Sequence, residues 1–130
     1  MADPRRCAGG LDELELTVRL HQWRHAADSP AVLDPSLPRA LANLGSRGVF
    51  AEPQVKGLLG AHRLLRQLEC VLALAIAGPV DRERLSNGLG SLLLRAGGAR
   101  DLPQLEAAVA DAARTVRGAF AAVVDPPGAG

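Results

Sequence analysis

The sequence predicts an all-α fold, an antiparallel bundle of about five helices. Three observations predict it. Apolar residues make up 48% of the 130-residue chain but aromatic residues only 2%, namely Trp23, Phe50 and Phe120. A core of Leu, Ala and Val favours helices over sheet. No stretch alternates apolar and polar residues long enough to form a strand. Pro and Gly clusters cut the chain into five stretches of helical periodicity joined by short connections, which suits mostly antiparallel neighbours.

The first stretch runs from about Asp12 to Ala27. Asp12 can cap the free N–H groups, with Glu15 three residues on to reciprocate. Leu16, Leu20, Trp23 and Ala27 recur at helical spacing and are expected to turn toward the bundle. "DSPAVLDPSLP" at 28–38 reads as a loop. A short second helix follows from about Ser36 to Arg47, with Gly48 as its C′ residue. Pro53 opens the third helix, where a missing N–H is harmless, and "GP" at 78–79 stops it after Ala77. Val55, Leu58, Leu59, Leu65 and Leu72 should face inward, with Lys56, Arg63 and Arg66 outward. The half from Val71 to Ala77 is apolar all round and should be buried, Cys70 with it. Asp81 can cap a fourth helix carrying Leu85, Leu89, Leu92 and Leu93, ended by Gly97 and Gly98. Asp101 with Gln104 caps a fifth, whose stripe is Leu105, Val109, Ala112, Val116, Phe120 and Val123.

The domain reading is a flexible leader at 1–10, a helical domain at 11–124 and a disordered tail at 125–130. A net charge of +1, no basic run and no aromatic platform argue against nucleic-acid binding. The longest apolar run, "VLALAIA" at 71–77, is too short to span a bilayer. Cys7 and Cys70 read as thiols in a reducing cytoplasm.

The carboxylates of "CAGGLDELEL" at 7–16 are the first candidates for chemistry. Nucleotidyl or phosphoryl transfer needs carboxylates that share Mg²⁺ and a loop that cradles phosphate. Glu13 and Glu15, two apart on a helix, point about 200° apart, and "AGGL" lacks a Lys. Helix capping and dipole compensation is the plainer reading. His21 and His25 stand at i, i+4, the spacing of a helical metal pair, but a third ligand is not evident. Cys70 has no base beside it, as a catalytic thiolate requires. The residues thus yield no catalytic, cofactor or metal assignment.

The order of motifs resembles a known family. "GGLDELEL" followed by "VRLHQWRHA" is similar to the junction segment of glutamine synthetase adenylyltransferases, with Gly9, Gly10, Leu11, Glu15, Gln22, His25 and Ala26 in place. "VLDPSLPRALANLGSRGVF" looks like that family's short helix. "LLRQLECVLALAIAGPVD" looks like its long one, with Arg66, Leu68, Glu69 and Leu72 as expected. "GLGSLLLRAGGARDLPQLEAAVADAARTVRGAF" is similar to its C-terminal end. The chain departs from the pattern at Glu13, Leu16, Arg19, Cys70 and Val71.

The resemblance implies a helical regulatory and partner-docking domain without its own nucleotidyltransferase site. The catalytic nucleotidyltransferase domain, which would use ATP and Mg²⁺, would lie upstream. The implied partners are that domain, the PII signal protein and glutamine synthetase. Because the first helix would follow the catalytic domain directly, Glu13, Glu15, Arg19 and Gln22 become the candidate interdomain face. His25, Arg66 and Glu69 are the other family-matching helix positions. A free-standing interaction or scaffold module is the alternative, and a small metal-binding bundle built on His21 and His25 a third reading.

Overall fold

The computed structural model describes residues 4–28, 30–77, 94–95 and 97–124, without the side chains of 31, 72–77 and 102. Over these residues the chain is all α. The helices are α1 (Leu11–His25), α2 (Leu37–Ser46), α3 (Glu52–Ala77) and α4 (Leu102–Val124), with a 3₁₀ turn at Pro30–Val32. The expected helix after Asp81, the tail at 125–130 and the burial of Leu72 all lie outside the described residues. So the described helices number four rather than five. No helix among them is long and apolar enough to cross a membrane.

α1 starts differently from the capping box read in the sequence. Its N-cap is Gly10, which has no side chain to offer. The free helical N–H groups are met instead by the preceding segment. Leu11 N–H donates to the Pro4 carbonyl and Asp12 N–H to the Arg5 carbonyl, both at 2.9 Å. Glu13 rather than Glu15 reaches back, its Oε2 accepting the Gly9 N–H at 2.8 Å. Residues 4–10, part of the stretch read in the sequence as a flexible leader, form a hook with Pro4, Gly9 and Gly10 buried.

The two glycines are what the hook requires. Gly9 has φ +74°, and a Cβ there would lie 2.5 Å from the Ala113 carbonyl oxygen on α4. A Cβ on Gly10 would lie 2.6 Å from the Pro4 carbonyl oxygen. Any larger residue would push the hook off the bundle.

The other caps follow the sequence closely. Ser36 caps α2, its Oγ accepting the Arg39 N–H at 3.4 Å. Gly48, at φ +76°, closes α2: its N–H bonds the Gly45 carbonyl and the Val49 N–H the Leu44 carbonyl, both at 3.0 Å. Asp101 Oδ1 accepts the Gln104 N–H at 2.9 Å. Gln104 Oε1 returns to the Arg100 N–H at 2.6 Å.

The main core joins all four helices. It holds Leu11, Leu14 and Val18 of α1, Leu37, Leu41 and Leu44 of α2, Leu58 and Leu65 of α3, and Ala112, Val116 and Ala119 of α4, with Val32 and Phe50. A second cluster centres on Leu68 and Leu105. Leu105, Ala112, Val116 and Val123 of the expected α4 stripe are buried, with Val109 and Phe120 at its edge. Contacts fix the directions of the helices. Along α1 and α3 they run in opposite order, from Arg5 with Glu69 to His21 with Phe50 just before α3. Along α3 and α4 they also run oppositely, Gly57 beside Thr115 and Leu68 beside Leu105. α1 and α4 run in the same sense, from Glu13 with Arg117 to Arg24 with Val123.

Two sequence expectations are corrected. The Leu16–Leu20–Trp23 row does not face the bundle: Leu16 is 47% and Trp23 79% exposed. α1 carries two apolar rows on opposite sides, and Leu11, Leu14 and Val18 take the core. Cys70 is exposed rather than buried, on the solvent side of α3. No disulfide joins it to Cys7.

Leu65, only 1% exposed, lies at the centre of the main core on α3. Leu65→Ala should cost about 2–5 kcal/mol of unfolding free energy, as for other large-to-small core changes. Urea titration followed by helical circular dichroism measures it. A cost near that of a surface substitution would place α3 at the edge of the bundle.

Candidate functional site

The acidic opening of α1 is a set of structural contacts. Arg5, at the base of the hook, reaches both α1 and α3. Its Nε donates to Glu69 Oε2 at 2.7 Å, and its Nη1 to Asp12 Oδ1 at 2.9 Å and Glu15 Oε1 at 3.3 Å. Glu69 uses its other oxygen to accept Arg66 Nη1 at 2.7 Å. Glu69 and Asp12, the strongest of these partners, raise the Arg5 pKa and hold the guanidinium charged. Glu15, Arg66 and Glu69, singled out separately in the sequence, thus meet through a residue it did not single out. The "PRR" run was the only signal for Arg5, and nothing in it distinguished Arg5 from Arg6.

The four residues of the candidate interdomain face do not share one surface. Glu13 lies on the α4 side, 3.5 Å from Arg117 Nη1. Glu15, Arg19 and Gln22 fall on the opposite side, as helical periodicity dictates. Gln22 is buried. Its Nε2 donates to the carbonyls of Val32 at 2.6 Å and Asp34 at 2.9 Å. Arg19 donates to Gln22 Oε1 at 2.7 Å and to the carbonyls of Asp34 and Pro35 at 3.0 and 2.9 Å. Together they pin the 3₁₀ turn and the loop into α2.

The histidines occupy the other end of α1. His21 stacks on His25 with ring centroids 6.3 Å apart and meets the Phe50 ring edge-on at 4.8 Å. Its buried Nδ1 has no hydrogen-bond partner among the described residues. Burial, then the charges of His25 and Arg24, push the His21 pKa below its ordinary value. Burial and then Arg66 do the same to His62, against an opposing pull from Glu15. No three His, Cys, Asp or Glu side chains among the described residues gather to hold a metal ion.

Two surface depressions among the described residues lie along α3. One, of about 400 Å³, is lined by Arg66, Gln67, Cys70 and Val71. Another, of about 350 Å³, sets Arg63 and Arg95 around Gly60 and the Gly97–Gly98 turn. The first is mostly apolar with one arginine at its side, and the second is basic.

The lowered histidine values fix a pH dependence. Folding disfavours protonation of His21 and His62, so the unfolded chain binds more protons as pH falls below its ordinary histidine value. Stability should be full above that value and decline between about pH 7 and pH 5. Urea midpoints at the two pH values measure the decline. His21→Leu should reduce it, and an unchanged slope would show that His21 titrates freely in the folded chain.

A family profile described as GlnD PII-uridylyltransferase matches residues 3–124. Curated relatives are named bifunctional glutamine synthetase adenylyltransferase/adenylyl-removing enzyme. That of Rhodopseudomonas palustris (strain BisB5) is 32% identical over 118 residues, 91% of this chain and 12% of the relative. That of Bradyrhizobium diazoefficiens is 30% identical over 123 residues, 95% of this chain and 12% of the relative. That of Caulobacter vibrioides is 32% identical over 117 residues, 89% of this chain and again 12% of the relative. The chain therefore spans about an eighth of the length of these relatives. No solved structure matches.

Proposed function

The chain belongs to the GlnD PII-uridylyltransferase family, and we propose that it is a helical regulatory and partner-docking domain of a glutamine synthetase adenylyltransferase. In this reading nucleotidyl transfer, with ATP and Mg²⁺, is the work of another part of a longer enzyme. The helical domain contacts that catalytic part and receives glutamine synthetase or the PII signal protein.

One observation carries the reading. The match runs through nearly the whole helical unit, yet the carboxylates that open it are committed to holding that unit together. Asp12 and Glu15 bind Arg5, and Glu13 binds Gly9 and faces Arg117. Nucleotidyl transfer would need two carboxylates turned toward one metal. Here Glu13 and Glu15 serve different neighbours on different sides of α1.

Two measurements test the proposal. The purified chain, given ATP, Mg²⁺ and glutamine synthetase, should transfer no adenylyl group above background. Turnover would give the helices a catalytic role and overturn the assignment. In a pull-down with purified proteins, the immobilised chain should retain glutamine synthetase or PII. Retention of neither would remove the docking role.

A further inference from the structure

α1 is apolar on two sides, and only one of them is used. Leu11, Leu14 and Val18 are fully buried. Leu16, Leu20 and Trp23 fall within an arc of about 60° on the opposite side of the helix. Leu16 is 47% and Trp23 79% exposed, and Leu20 half-buried. Leaving the sole tryptophan of a chain in water, in line with two leucines, is the pattern of a surface that meets a partner.

The edges of the row indicate the partner's chemistry. Arg19 and Arg24 flank it on either side. Their guanidinium groups donate to Gln22 and to the carbonyls of Asp34, Pro35 and Val123, and no carboxylate among the described residues pairs with either. Among the described residues both guanidinium groups are met only by amide and carbonyl oxygens, which leaves their charge unneutralised there. The matching surface is apolar enough to take an indole and carries carboxylates along its rim.

A second copy of the chain fits this poorly. The carboxylates of α1 are already engaged, Asp12 and Glu15 by Arg5, Glu13 by Gly9 and Arg117. A pairing of two α1 faces would bring four arginines together with no free acid on either helix. The relatives, by contrast, carry about eight times as much chain as the stretch this protein matches. We propose that the Leu16–Leu20–Trp23 face of α1 docks onto an acidic-rimmed apolar surface in the remainder of that longer enzyme. This rests on the reading of the chain as one domain of an adenylyltransferase. It replaces the polar residues of α1 with the apolar row as the interdomain contact.

The test compares the isolated chain with a chimera. In the chimera this chain replaces the matching stretch of the Rhodopseudomonas palustris (strain BisB5) relative. Hydroxyl-radical footprinting read by mass spectrometry reports the exposure of Trp23, with buried Phe50 as the reference in both proteins. In the isolated chain Trp23 should oxidise rapidly, and Leu16→Ala with Trp23→Ala should leave the melting temperature unchanged. In the chimera Trp23 oxidation should slow several-fold, and the same pair of substitutions should lower the melting temperature. An active chimera in which Trp23 oxidises as fast as in the isolated chain would overturn the docking face and leave the domain reading standing. A chimera that neither folds nor adenylylates glutamine synthetase, while the unaltered relative does both, would overturn the domain reading and the face with it. A concentration-dependent dimer of the isolated chain, dissolved by Trp23→Ala in sedimentation equilibrium, would assign the face to a second copy.

Discussion

The packing of α1 depends on the close approach of the Gly9 backbone to α4 and of the Gly10 backbone to the hook's own carbonyls. Because neither residue carries a Cβ, the segment before α1 can turn back under the helix and rest on Ala113. That turn brings the Pro4 and Arg5 carbonyls to the free N–H groups of the first turn. It also places the Arg5 side chain between α1 and α3, where Asp12, Glu15 and Glu69 receive it. Each of these ion pairs is partly exposed, and taken singly would contribute little. Their effect is geometric. One guanidinium tied to two helices is compatible with only a narrow range of rotation of α1 about its own axis, the one that turns Leu11, Leu14 and Val18 inward.

That rotation is where sequence and structure part. Helical character, the ends of α2 and the start of α4 were legible because they rest on local chemistry. Ser36, Gly48, Asp101 and Gln104 act on their own backbone neighbours, within the reach that a sequence window sees. Leu58 and Leu65 of α3 and most of the α4 stripe were legible for a similar reason, since these two helices each have one dominant apolar stripe. α1 has two. Leu16, Leu20 and Trp23 are as well spaced as Leu11, Leu14 and Val18, and periodicity alone cannot choose between them. The row that is buried is the one whose side of the fold also has Arg5 meeting Glu69 across 64 positions of sequence, a contact with no local signature.

The candidate site was legible in its parts and not in its grouping. Glu15, Arg66 and Glu69 stood out by resemblance, and Gln22 and Arg19 as polar residues on a helix. Their roles came from partners far along the chain. Gln22 reads as a surface residue until the 3₁₀ turn at Pro30–Val32 is seen to present two carbonyls to its amide. A buried amide is stable only with such partners, since leaving its donors unmet costs more than the bonds return. Cys70 shows the converse. It follows the buried Leu68 and the half-buried Glu69, and one residue of helical rotation is enough to turn it to solvent.

The division of labour within α1 bears directly on function. The carboxylates that open the helix are engaged within the chain by Arg5, Gly9 and Arg117, and the amide of Gln22 near its end by the loop before α2. The inner row is closed off in the core. What α1 leaves outside the core is the apolar outer row of Leu16, Leu20 and Trp23, while Arg19 and Arg24 at its edges also bind carbonyls of the loop before α2 and of α4. A surface free of folding duties can be shaped by a partner, because changes there leave the domain's own stability nearly untouched. Leu16 and Arg19, two of the positions at which the sequence departs from the pattern it resembles, lie in this row and at its edge.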